Sequence, residues 1–212
     1  MKHPFLRYLI FVATVVGSHA EEIAHKVVIK KIETEIQQTP RFQVDGVKDK
    51  KSDPRYWFEI EAELEVQSTD TTGRIDPAGF IPEITANWFV IIKEKQSGKT
   101  KMLTGKATFR DIRTKDKTIH ISAYISPDVL EKLTGDNKVS VGDIEAVALV
   151  VSGAGIITKD PYAAGLQKAT AAEEAKWWLT DKYQTIEGVV VAKSKTPFAS
   201  LWTDRYPIEK TE

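Results

Sequence analysis

The chain has 212 residues, 30 lysines and arginines against 30 aspartates and glutamates, four histidines and no cysteine. The absence of cysteine excludes a disulfide framework, cysteine zinc sites and a thiol nucleophile. The balanced charge offers no basic stripe of the kind that nucleic-acid binders carry.

The first residues read as a processing signal. Met1–Arg7 is basic, Tyr8–Val16 ("YLIFVATVV") is apolar, and Ser18-His19-Ala20 places small residues at the −3 and −1 positions of a cleavage site. This pattern predicts export, with cleavage between Ala20 and Glu21. The apolar run is shorter than the roughly 20 residues that cross a bilayer. No later segment is long and apolar enough, so no integral membrane segment is expected in the mature chain. Losing Lys2 and Arg7 leaves 28 basic and 30 acidic residues, a net charge of −2. A domain of that length buries roughly 70% of its unfolded surface, enough for a core without disulfides.

Strand patterns follow in series. His25–Ile36 ("HKVVIKKIETEI") is charged and β-branched, and Tyr56–Val66 ("YWFEIEAELEV") alternates with a period of two. Ile84–Lys95, Thr100–Ile112, Lys117–Ser126, Asp143–Gly153 and Thr185–Ser194 complete the set, with Gly105 a possible break in the fourth. Two helices interrupt them. Ser126–Gly135 has a Ser cap, Pro at the first helical position and a closing Gly. It falls where many sandwiches cross between sheets. Thr170–Lys182 opens on a Thr170/Glu173 capping box and carries Ala175, Trp178 and Leu179 on one stripe. The expected fold is all-β: an immunoglobulin-like antiparallel β-sandwich with a short crossover helix and a helical insertion (about 160–182) before the last strand. Residues 21–212 form one domain that ends in an irregular tail (about 195–212). Trp88, on the third strand, suits the core tryptophan of such sandwiches.

Chemical candidates are few. Glu59, Glu61, Glu63 and Glu65 form a row on one face of the second strand, about 6.6 Å apart. That spacing falls inside the range of an inverting glycosidase pair, but nothing marks a cleft. The row reads as a solvated face paired across strands with lysines such as Lys26, Lys30 and Lys31. His25 and His120 are the histidines that remain after cleavage, too few for a transition-metal site. Ser152 lacks the preceding Gly of a nucleophile elbow, and Gly98-Lys99-Thr100 lacks the first Gly of a P-loop and the helix after it. Asp70 and Asp76 flank a loop with the acids for weak Ca²⁺ binding but without EF-hand spacing. No catalytic residue, metal set or cofactor is expected.

The aromatic residues carry the interaction reading. Adjacent helical residues diverge by about 100°, so Trp178 goes to the core and Trp177 to the surface. Phe198, Trp202 and Tyr206 lie on the tail, which either packs on the sandwich or offers an aromatic platform to a protein or a carbohydrate.

The runs "AKWWLTDKY" (Ala175–Tyr183) and "SKTPFASLWTDRYP" (Ser194–Pro207) resemble a family of exported Verrucomicrobial proteins encoded beside type IV pilus genes. The resemblance covers about the last forty residues. It implies an immunoglobulin-like fold similar to archaeal pilus-like proteins, a role at the cell surface, and no catalytic residues. A type IV pilin keeps its apolar N-terminal helix, whereas cleavage after Ala20 removes this one. A pilus role would therefore be accessory, or mediated by strands such as Lys26–Ile36 adding to a neighbour's sheet. The resulting expectation is an exported structural or interaction protein, an accessory or pilus-like component of the cell surface whose partners are pilus components or further copies of itself, located in the periplasm or at the cell surface. The alternative is a carbohydrate-binding sandwich module.

Overall fold

The computed structural model describes residues 25–41, 45–46, 53–68, 79–116, 118–135, 140–153, 156–158, 162–164 and 174–210. The signal segment with Ala20 and Glu21, the Asp70 and Asp76 loop, and the Thr170/Glu173 pair lie outside the described residues.

Two sheets face each other across one core. The first contains β1 (His25–Gln38), β2 (Tyr56–Ser68), β5 (Thr118–Ile125), β7 (Ile156–Thr158) and β10 (Val190–Ala192), in the order β10-β5-β2-β1-β7. The second contains β3 (Phe80–Lys93), β4 (Thr100–Arg113), β6 (Ile144–Ser152), β8 (Tyr162–Ala164) and β11 (Ile208–Glu209), in the order β11-β4-β3-β6-β8. The short β9 (Gln184–Ile186) also pairs with β4. Among the described residues all ladders are antiparallel except β1 with β7 and β4 with β9. The fold is an all-β sandwich.

The alternating sequences set the faces. On β2, Phe58, Ile60, Ala62 and Leu64 are fully buried between the sheets and meet Ile84, Trp88, Val90 and Leu103 of the second sheet. In β1 the apolar positions change parity, from Val27 and Ile29 to Ile32 and Ile36. A bulge between Ile29 and Lys31 absorbs the change, so both halves keep their apolar side on the core. The helix α1 (Pro127–Thr134) starts and stops where its sequence dictates. Ser126 Oγ accepts the Val129 N–H (3.4 Å), and Gly135 closes it in the left-handed region. Leu130 and Leu133 anchor α1 to the core while it carries the chain from the first sheet to the second.

Three elements differ from the sequence expectation. Gly105 does not break its strand, because β4 runs through it in register with Trp88. Thr185–Ser194 is not one strand: Gly188, at φ +70°, turns the chain from β9 on the second sheet to β10 on the first. In place of the expected α-helix, Glu174–Leu179 is a 3₁₀ segment kinked at Lys176 (φ −128°, ψ 43°).

Gly105 takes part in that crossing. Val189 N–H donates to the Thr104 carbonyl (3.1 Å), which draws the chain so close that a Cβ on residue 105 would lie 1.7 Å from the Val190 carbonyl oxygen. Backbone on both sides cannot yield as a side chain does. Gly105→Ala is therefore expected to lower unfolding free energy by about 3 kcal/mol, read by urea titration. An unchanged midpoint would show that the crossing is looser than described.

Candidate interaction surfaces

After β10 the chain does not leave the sandwich. Residues 193–207 fold back over the outer face of the first sheet and return to the second sheet as β11. Local hydrogen bonds shape this strap. Thr196 Oγ1 donates to the Lys193 carbonyl (2.7 Å) and accepts from Phe198 N–H (3.1 Å). Phe198, 1% exposed, is thereby pressed flat on Tyr124 (centroids 5.1 Å, 18°) and edge-on to Trp57 (6.1 Å, 85°). Trp202 stacks on its outer side (6.3 Å, 16°). Lys193 is buried beneath the strap and donates to the Ala199 carbonyl (3.0 Å). Burial pushes its pKa down, while the charges of Glu209 and Glu59 act the other way.

The strap changes the fate of the glutamate row. Glu59 is buried and accepts the Tyr124 hydroxyl (2.5 Å). Burial first, and then this bond, raises the Tyr124 pKa. Glu61 accepts from Arg205 Nε (3.0 Å), Arg205 Nη2 (2.5 Å) and Tyr206 Oη (2.5 Å), with His120 Nδ1 at 3.2 Å. Burial alone would raise the Glu61 pKa, but the bonds from Arg205 and Tyr206, helped by the charges of Arg205 and His120, hold it below the ordinary carboxylate value. The expectation of a solvated row is thus corrected for Glu59 and Glu61, which the strap covers. Glu65 keeps the expected cross-strand lysine, Lys30 Nζ at 2.6 Å. Lys31 pairs with Glu33 on its own strand instead.

A groove of about 410 Å³ remains beside the strap. Glu33 and Glu35 from β1 and Glu59 and Glu61 from β2 form its floor, with Trp202 and Arg205 as its wall. Trp202 is 46% exposed and sits at φ +52°, in the left-handed region, a conformation that costs a residue of its size about 1–3 kcal/mol. The Phe198 stack and the Arg205 N–H bond to the Trp202 carbonyl (3.0 Å) hold it there.

Of the four aromatic residues expected at an interaction surface, the structure brings Trp202 and Tyr206 together and removes the other two. Phe198 is the strap's buried anchor. Trp177 is 5% exposed on the outer face of the opposite sheet, because the kink at Lys176 lets both tryptophans turn inward. It meets Trp178 edge-on (5.6 Å, 84°), and both cover Ile91, Met102, Ala146 and Ala148. Leu179, placed on the core stripe by helical spacing, is 70% exposed. Tyr206 is half-buried, with its hydroxyl committed to Glu61. Sequence reasoning missed Arg205. Its partner lies 144 residues away, and its place within the aromatic tail was the one available signal.

A second surface is the outer edge of β1. β2 pairs with the strand's whole length, from His25 opposite Ser68 to Gln38 opposite Tyr56. On the other side β7 takes only His25–Val27. Among the described residues no strand pairs with that edge from Val28 to Gln38.

Fold and surfaces together define a class: an all-β sandwich whose C-terminal strap covers part of one face and whose long first strand, among the described residues, is open along most of one edge. A family model matches residues 18–212, and the chain belongs to that family. Among solved structures, a crystal structure of a protein from Akkermansia muciniphila matches with a TM-score of 0.74 at 19% identity, over 90% of this chain and 95% of the other. That likeness shows a shared fold. No curated protein matches the chain.

Two outcomes test the strap. Phe198→Ala should cost about 3–5 kcal/mol of stability as a buried-ring truncation, and Trp202→Ala no more than about 1 kcal/mol, since half its ring is already wet and alanine leaves the left-handed backbone as it was. Equal losses in thermal melts would contradict the anchor assignment. The second concerns pH. The folded pKa of Glu61 lies below its ordinary 4.5, so its contribution is complete above that value and is lost as pH falls through the lowered one. Urea titrations between pH 7 and 3 should show Glu61→Gln with a flatter acid limb than the natural protein. Parallel limbs would mean that the carboxylate is not what couples strap to sheet.

Proposed function

We propose that this chain is an exported structural or interaction protein, an accessory component of the cell surface associated with pilus-like filaments, that works by protein–protein association. The open edge of β1 carries the reading. An unpaired run of strand N–H and C=O groups is a template for another chain's strand. Three further observations support it: the export pattern at Met1–Ala20, the C-terminal resemblance to exported Verrucomicrobial proteins, and the fold shared with the protein from Akkermansia muciniphila. Kinship with immunoglobulin-like sandwiches belongs to the same proposal, with Trp88 as the buried tryptophan of the third strand. On this reading the chain has no catalytic residues, cofactor or metal, and its address is the periplasm or the cell exterior.

A carbohydrate-binding module is the second reading. Trp202, half exposed beside a row of carboxylates, favours it. Burial of Trp177 and Phe198 weakens it, since one ring does not make a flat aromatic strip.

Deleting the first strand cannot test the association, because Val27 and Ile29 belong to the core. Intact-mass spectrometry can test the address, applied to protein from sheared surface material and from the soluble periplasm. The expected result is a chain beginning at Glu21 and enriched with the sheared filaments. The same chain confined to the soluble periplasm would overturn the surface role.

A further inference from the structure

We propose that the partner of the open β1 edge is a second copy of this chain, paired antiparallel through its own β1 about a two-fold axis at Ile32. The inference rests on reading β1 as the association edge, and it names the occupant.

Charge selects the register. Lys31, Glu33 and Glu35 share the outer face of the strand, opposite Glu63, Glu61 and Glu59 of β2. Residues opposite one another in an antiparallel pair lie on the same face, so each two-fold register sets particular outer residues against each other. Lys31, Glu33 or Glu35 on the axis places a charge against its own copy, and Thr34 on the axis places Glu33 against Glu35. With Ile32 on the axis, Lys31 of each chain lies against Glu33 of the other, and both pairs attract.

The same register fits the rest of the strand. Ile32 is half-buried on the core side and would be covered by its own copy. The bulge between Ile29 and Lys31 accommodates Lys30, so the new ladder runs between Val28 and Glu35 of each chain. It stops where β7 takes over the edge at Val27.

The monomer also has unbalanced charge there. Glu33 faces Glu61 and Glu35 faces Glu59 across the β1–β2 ladder, and like charges directly opposite are unfavourable. Arg205 relieves Glu61. Within the monomer Glu33 has Lys31 of its own strand as its cation, and in this register each Glu33 would also face Lys31 of the other copy, so that both lysines are shared between both glutamates.

Sedimentation equilibrium on the exported chain, at low and high salt, tests this. The expected result is a dimer that weakens with salt. Lys31→Glu and Glu33→Lys should each weaken it about tenfold or more, and the double exchange should restore it, because swapping both charges recreates both pairs. Melting curves must show all three variants folded, as expected for exposed side chains. In a chain without cysteine, Ile32→Cys should also form a disulfide-linked dimer on mild oxidation, and Gln38→Cys should not. A natural protein that stays monomeric at about 0.1 mM, or a double exchange that fails to restore association, overturns the self-pairing. A monomer that still fractionates with sheared filaments would overturn it while leaving the broader association role intact.

Discussion

The first sheet carries glutamates directly opposite glutamates on neighbouring strands, Glu33 against Glu61 and Glu35 against Glu59. A sheet face so charged is stable only if cations, donors or water answer the carboxylates. The chain answers with its own C-terminus. Arg205 forms a two-pronged bond to Glu61, Tyr206 adds a third donor, and the Tyr124 hydroxyl takes Glu59. Planar guanidinium suits this role because its donors match both carboxylate oxygens at once. The Tyr124 bond to Glu59 is buried beside Phe198, whereas the Arg205 bonds to Glu61 lie at the edge of the groove, so the strap is held by an apolar anchor at one end and an ion pair at the other.

The sandwich is closed unequally. On the β4–β5 side the chain crosses between sheets through β9 and β10, crosses back through the strap, and ends as β11. Gly105 permits the first crossing by letting two backbones touch. Opposite, among the described residues, β7 covers three residues of β1. A long edge strand left open is normally a hazard, blunted by lysines and bulges. β1 has both, in Lys30, Lys31 and the irregularity between Ile29 and Lys31. These features discourage indiscriminate pairing along that edge.

Much of this was legible in the sequence. Period-two alternation located β1 and β2 to within two or three residues, and Ser126, Pro127 and Gly135 fixed α1, because strand faces and helix caps are local properties. What covers a face is not local. The alternation of Glu59 and Glu61 looks the same whether water or Arg205 lies above it. The two tryptophans at 177 and 178 could not both be placed inside while a regular helix was assumed, and the kink at Lys176 is not written in any propensity. The split at Gly188 was missed for a related reason. Either sheet accepts a strand of that composition, and only the approach to Gly105 decides where it must cross.

The bond between Arg205 and Glu61 joins residues 144 positions apart. During synthesis, β2 emerges long before the segment that neutralises it, and loops of that length close late. A chain made only as far as β10 therefore holds its strands without the cover for one face, and the strap acts as a clasp that shuts long after the strand it closes on has been made.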